Sequence, residues 1–154
     1  MKKKVIINNE NETCELANKL EALKFENMVV CLDGDLGSGK TFFSKCFAKA
    51  LNVDEVVTSP TFTIIKEYIG KMLFFHIDVY RLNGVIDGLG LDEYYNKNGI
   101  VFIEWASTIL EDLPDERLEI NIKRIDDFKR EFSLTSFGDK YDKLLGELLW
   151  KFFS

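Results

Sequence analysis

The chain has 154 residues, 46% of them hydrophobic, which is enough for one compact core and short for two, so residues 1–154 read as a single domain. Its 26 acidic and 20 basic residues give a net charge of −6, which disfavours direct binding to a nucleic-acid backbone; work on RNA would pass through a partner carrying the basic surface. Lys2, Lys3 and Lys4 are followed only by Val5, Ile6 and Ile7 before the asparagines, and no stretch approaches transmembrane length, so a cytoplasmic location without a membrane partner is expected.

In chain order, residues 4–7 suit a first strand. Leu16, Ala17, Leu20 and Leu23 then mark one face of a helix, for which Asn11 is the expected N-cap. Residues 28–32 form an apolar, partly β-branched run of the length of a buried parallel strand. Phe42, Phe43, Cys46, Phe47, Ala50 and Leu51 recur at helical spacing. Residues 62–69 and 72–78 are β-favouring runs joined by Gly70-Lys71, read as a hairpin with a type II′ turn. Residues 100–103 make another buried strand, the alternation of Leu118, Ile120 and Ile122 a half-exposed one, and residues 131–135 a further partner. From Tyr141 onward Leu144, Leu145, Leu148, Leu149 and Phe152 give an amphipathic helix whose aromatic end is expected to pack on the core. Cys14, Cys31 and Cys46 are an odd count with no C-x-x-C spacing and are expected as reduced core residues.

Between the buried strand and the helix stands Gly34-Asp35-Leu36-Gly37-Ser38-Gly39-Lys40-Thr41, which fits the phosphate-binding loop G-x-x-x-x-G-K-[ST] at every fixed position. Backbone N–H groups must close around phosphate oxygens, which side chains at the glycine positions would obstruct. Lys40 supplies a point charge for the β- and γ-phosphates and the Thr41 hydroxyl a ligand for Mg²⁺. The helix that follows aims its N-terminal N–H groups at the anion. A glycine-rich turn before an ordinary helix explains neither the lysine nor the threonine.

Two apolar runs end in carboxylates, Asp78 and Glu104, and in a parallel sheet such strand ends share the edge where ligands bind. Asp78 is the candidate for holding the metal, and Glu104 for ligating it or orienting the attacking water. Trp105 reads equally as a neighbour of the nucleotide and as a core residue. Thr58-Ser59-Pro60-Thr61 reads as a γ-phosphate-sensing loop or as a Ser-Pro turn. His76, the only histidine, lies in an apolar strand and is expected to be structural, and Arg81 to form a salt bridge rather than clamp phosphate.

Together, Gly34 to Thr41, Ser59-Pro60-Thr61-Phe62, His76-Ile77-Asp78-Val79-Tyr80-Arg81-Leu82 and Ile103-Glu104-Trp105 resemble the TsaE (YjeE) family in wording and order. The resemblance implies an α/β, P-loop NTPase-like three-layer fold with a mixed sheet containing an antiparallel hairpin. It implies an ATPase for threonylcarbamoyladenosine modification of tRNA, acting with TsaD and TsaB proteins and meeting tRNA only through that complex. ATP and Mg²⁺ are the implied cofactors. Catalysis would fall to Lys40, Asp78 and Glu104, and the metal to Thr41, Asp78 and Glu104. Nucleotide contacts would come from Asp35, Leu36, Gly37, Ser38, Gly39, Lys40, Thr41, Thr61 and Trp105, with Thr13, and more weakly Glu10, near the adenine. Residues 83–89 look shorter and less acidic than the corresponding family stretch.

A GTPase would carry N-K-x-D, and the nearest string, Asn96-Lys97-Asn98-Gly99, lacks the discriminating carboxylate. A small-molecule kinase would need more arginines than Arg81, Arg117, Arg124 and Arg130. A nucleotide-dependent binding switch with negligible turnover stays open as the non-enzyme reading.

Overall fold

The computed structural model describes residues 1–60 and 64–154. Its frame is a seven-stranded mixed sheet formed by β1 (Lys2–Ile7), β2 (Val29–Asp33), β3 (Ile65–Ile69), β4 (Leu73–Asp78), β5 (Ile100–Glu104), β6 (Arg117–Arg124) and β7 (Arg130–Phe137), in the order β1-β7-β6-β2-β5-β4-β3. The centre, β6-β2-β5-β4, is parallel, while β1, β7 and β3 join antiparallel at the two sides.

The centre reads as continuous apolar sequence because it is covered on both faces. Val30, Leu32 and Phe102 point toward α1 (Glu10–Ala22), α2 (Lys40–Ala50) and α4 (Asp139–Phe153). Val29, Cys31, Val101 and Ile103 face a thinner layer made by α3 (Leu91–Tyr94) and the 3-10 helices Tyr80–Leu82 and Ala106–Asp112. The outer strands alternate, with Val5 and Ile7 buried and Lys2, Lys4 and Ile6 exposed, because only their helix-side face is covered.

Four sequence expectations need correction. The N-cap of α1 is Asn9, not Asn11: its side chain accepts the Glu12 N–H at 2.9 Å, while Glu12 Oε1 accepts the Asn8 N–H at 3.0 Å. An acid three residues after the cap can reach back in this way to the chain before the helix, and Asn9 has one whereas Asn11 is followed at that spacing by Cys14. The hairpin pairs Ile69 with Leu73, leaving Gly70, Lys71 and Met72 in the loop, and Gly70 does not take the positive φ of a type II′ turn. Glycine is required there because a Cβ would strike the Leu51 carbonyl oxygen. At the end of α4 only Phe152 packs on the core; Trp150 and Phe153 are exposed. No helix among the described residues is long and apolar enough to cross a membrane.

The fourth correction concerns the cysteines. Cys14 of α1 and Cys46 of α2 form a disulfide, with Cα atoms 5.1 Å apart, and only Cys31 is free and buried. The two sulfurs meet because α1 and α2 pack side by side, which a spacing of 32 residues does not reveal. In the chain-entropy picture, closing a loop of that length stabilises the fold by about 4 kcal/mol through the unfolded state. Thiol titration of the unreduced, denatured chain should therefore count one thiol, rising to three after reduction, and the reduced chain should melt several degrees lower. Three thiols without reduction would exclude the bond.

Candidate nucleotide site

The loop between β2 and α2 is shaped by its glycines. Gly34 sits at φ +145, and a Cβ on it would collide with the Ile122 carbonyl oxygen and approach Ser38 Oγ to 2.6 Å. The chain can turn away from β2 this tightly only without a side chain. Gly39, at φ +115, caps α2 without any side-chain hydrogen bond, so the first N–H groups of an eleven-residue helix open toward the cleft.

Lys40 opens α2 and folds back over the loop. Its ammonium donates to the Gly34 carbonyl at 2.5 Å and the Asp35 carbonyl at 3.1 Å, and lies 4.1 Å from the centre of the Trp105 ring. Desolvation pulls its pKa below the ordinary lysine value, while the carboxylates of Glu104, Asp33, Asp78 and Asp35 pull the other way. Trp105 takes the left-handed conformation, φ +64, with its N–H bonded to the Leu32 carbonyl at 2.8 Å. That twist turns the indole out of the sheet toward Lys40 and Tyr80, whose ring centroid is 4.7 Å away. Trp105 thus lines the cleft while also packing, partly buried, against the core on that side of the sheet.

The two strand-end carboxylates are lateral neighbours, because β4 and β5 are parallel and Asp78 is in register with Glu104. Both are 2% exposed. The Thr41 hydroxyl donates to Glu104 Oε1 and Oε2 at 3.1 and 3.2 Å. Asp78 Oδ1 accepts the Tyr80 N–H at 2.8 Å. His76, fully buried, places Nε2 2.5 Å from Glu104 Oε2, a contact that holds the carboxylate in one orientation. The buried histidine, expected from sequence to be structural, thus touches one of the two candidate strand-end carboxylates.

A cleft of about 230 Å³ gathers Leu36, Gly37, Gly39, Lys40, Thr41, Ser59, Asp78, Glu104 and Trp105. A second cavity, about 270 Å³, adjoins it across Gly37, Gly39 and Phe42 and brings in Asn9, Glu10, Thr13 and Ser38. Asp35 contributes a backbone carbonyl to Lys40, while its side chain is exposed. Thr61 lies outside the described residues. Arg81 stands exposed in the 3-10 helix Tyr80–Leu82. Sequence reading missed Arg130, whose Nε donates to the Ser38 carbonyl at 2.9 Å across 92 residues, and no local pattern signals that contact.

The family model described as threonylcarbamoyl adenosine biosynthesis protein TsaE matches residues 7–132. The chain is 47% identical over 141 residues to the tRNA threonylcarbamoyladenosine biosynthesis protein TsaE of Bacillus subtilis (strain 168), spanning 91% of this chain and 89% of that protein. It is 40% identical over 134 residues to the protein of the same name from Aquifex aeolicus (strain VF5), spanning 83% and 92%. The crystal structure of Bacillus subtilis YdiB superposes with a TM-score of 0.86 at 42% identity, covering 98% of this chain and 96% of that one.

Proposed function

Because the chain belongs to the TsaE family of threonylcarbamoyl adenosine biosynthesis proteins, we propose that it is a cytoplasmic, Mg²⁺-dependent ATPase supporting that tRNA modification. It would act with TsaD- and TsaB-type proteins and meet tRNA only through their complex. The observation that carries the reading is the convergence of the Thr41 hydroxyl and the Glu104 carboxylate, with Asp78 beside them, on the cleft that Lys40 lines.

The donor set fits the cofactors. Among the described residues no three His, Cys, Asp or Glu side chains are grouped to hold a metal by themselves. Mg²⁺ in nucleotide sites takes one or two carboxylates, a hydroxyl and phosphate oxygens, which matches Asp78, Glu104 and Thr41. The ammonium of Lys40 is held by two carbonyls, which phosphate oxygens can replace with stronger charge-assisted bonds. Backbone N–H groups of residues 35–41 would cradle the phosphates, and Thr13 would face the base from the second cavity. Thr61 is proposed for the phosphate-sensing loop.

When bound, Mg²⁺ would neutralise charge on the β- and γ-phosphate oxygens. Glu104 would orient a water in line with the γ-phosphorus and accept its proton, as the bond to the β–γ bridging oxygen breaks and ADP leaves. His76 Nε2, in contact with Glu104 Oε2, would hold the carboxylate in place for this step.

Lys40 is the sole cation among the described residues lining the phosphate cleft. Phosphoryl transfer gains on the order of a thousandfold when a further cation reaches the developing charge, so the isolated chain should turn over slowly. Steady-state assays should show hydrolysis rising about tenfold or more on adding the cognate TsaD and TsaB assembly. Full turnover alone, unchanged by partners, would overturn partner activation; binding with no hydrolysis in either case would leave a nucleotide-dependent switch.

A further inference from the structure

The tip of the β6–β7 hairpin is built with more care than a surface turn needs. Arg124 pairs with Arg130 at the ends of the strands. Between them Asp126 Oδ1 accepts the N–H groups of Phe128 at 2.8 Å and Lys129 at 2.7 Å, and the Ile125 N–H bonds the Lys129 carbonyl at 3.0 Å. Arg130 then ties the tip down. Its Nη1 donates to the carbonyls of Asp126 at 2.8 Å and Lys129 at 3.0 Å, and its Nε to the Ser38 carbonyl in the phosphate loop. One planar guanidinium therefore spans the hairpin tip and the phosphate loop, which a lysine ammonium could not do.

This scaffold presents Phe128, a residue 74% exposed that lines the second cavity with Thr13, Phe42 and Phe132. An aromatic ring held in water by a braced turn contributes little to folding; its apolar face is available to a flat ligand. The cavity shares Gly37, Gly39 and Phe42 with the phosphate cleft, so a nucleotide whose phosphates lie on the loop would carry its base into the space beside Phe128.

Building on the ATP-site reading, we propose that Phe128 stacks on the face of the purine base of the bound nucleoside triphosphate, and that Arg130 is a positioning residue that fixes the hairpin tip against the phosphate loop.

The test is calorimetric titration of the full chain with Mg-ATP and with Mg-tripolyphosphate, which keeps the phosphates and lacks the base. Base–aromatic stacking predicts that Phe128→Ala weakens ATP about fivefold or more and leaves tripolyphosphate within about twofold. Phe128→Tyr should retain ATP affinity, because the ring remains. In an Arg130→Lys background the further loss on Phe128→Ala should shrink to about twofold or less, since the ring is no longer held in place. Unchanged ATP affinity in Phe128→Ala, equal losses for ATP and tripolyphosphate, or strict additivity with Arg130→Lys would overturn the proposal while leaving the phosphate site standing. A wild-type chain that binds neither ligand would overturn both.

Discussion

Lys40→Ala should yield a folded chain whose affinity for Mg-ATP is lower by about 100-fold or more. The ammonium is the only cation among the described residues lining the cleft, and a charge-assisted bond to each of two phosphates stands to be lost with it. Stability should change much less. In the free chain Lys40 is bound to the Gly34 and Asp35 carbonyls, which border an open cleft where water can take its place. Four nearby carboxylates lose a counter-charge, but the desolvation that depresses the Lys40 pKa is relieved at the same time. The loss should stay at about 1 kcal/mol, and it comes chiefly from the buried stem of Lys40 and its contact with the Trp105 ring. Calorimetry with ATP beside a denaturation curve checks both halves. A folded variant with unchanged affinity would sink the phosphate-loop assignment.

Glu104→Gln should reduce hydrolysis by about 100-fold or more while ATP still binds, because a positioned base contributes a factor of that order. The amide keeps an oxygen for the Thr41 hydroxyl and can offer an N–H to His76 Nε2 in its other tautomer, so the geometry survives and the charge does not. Asp78→Asn should behave differently. Asp78 neighbours Glu104 in register, yet its Oδ1 is committed to the Tyr80 N–H, so its loss should show chiefly as weaker Mg²⁺-dependent binding. Single-turnover hydrolysis and titration at several Mg²⁺ concentrations separate the two effects. A Glu104 variant with wild-type turnover would remove it from the catalytic set.

The phosphate-loop pattern was legible because it is contiguous: the glycines, Lys40 and Thr41 fall within eight successive positions, so no knowledge of the fold is needed to group them. Asp78 and Glu104 were legible for a related reason. Each ends an apolar run, and the parallel-sheet rule brings such ends to one edge; the registered pairing of the two follows from it. The parallel centre and the hairpin at β3–β4 were also visible, since buried and alternating runs leave different periods.

Contacts between distant elements were decided only by the tertiary structure. That Trp105 lines the cleft while still packing on the core depended on one left-handed backbone turn, which composition does not encode. His76 gained its role when β4 and β5 paired, bringing its ring onto Glu104 across 28 residues. The Cys14–Cys46 bond exists because two helices lie side by side, and the Gly70 requirement because the β3–β4 loop crosses the carbonyl of Leu51. The same holds for Arg130 and the hairpin tip. Local pattern reports what a residue can do to its neighbours in the chain, whereas which carbonyl a guanidinium meets 92 residues away is set by how the layers pack.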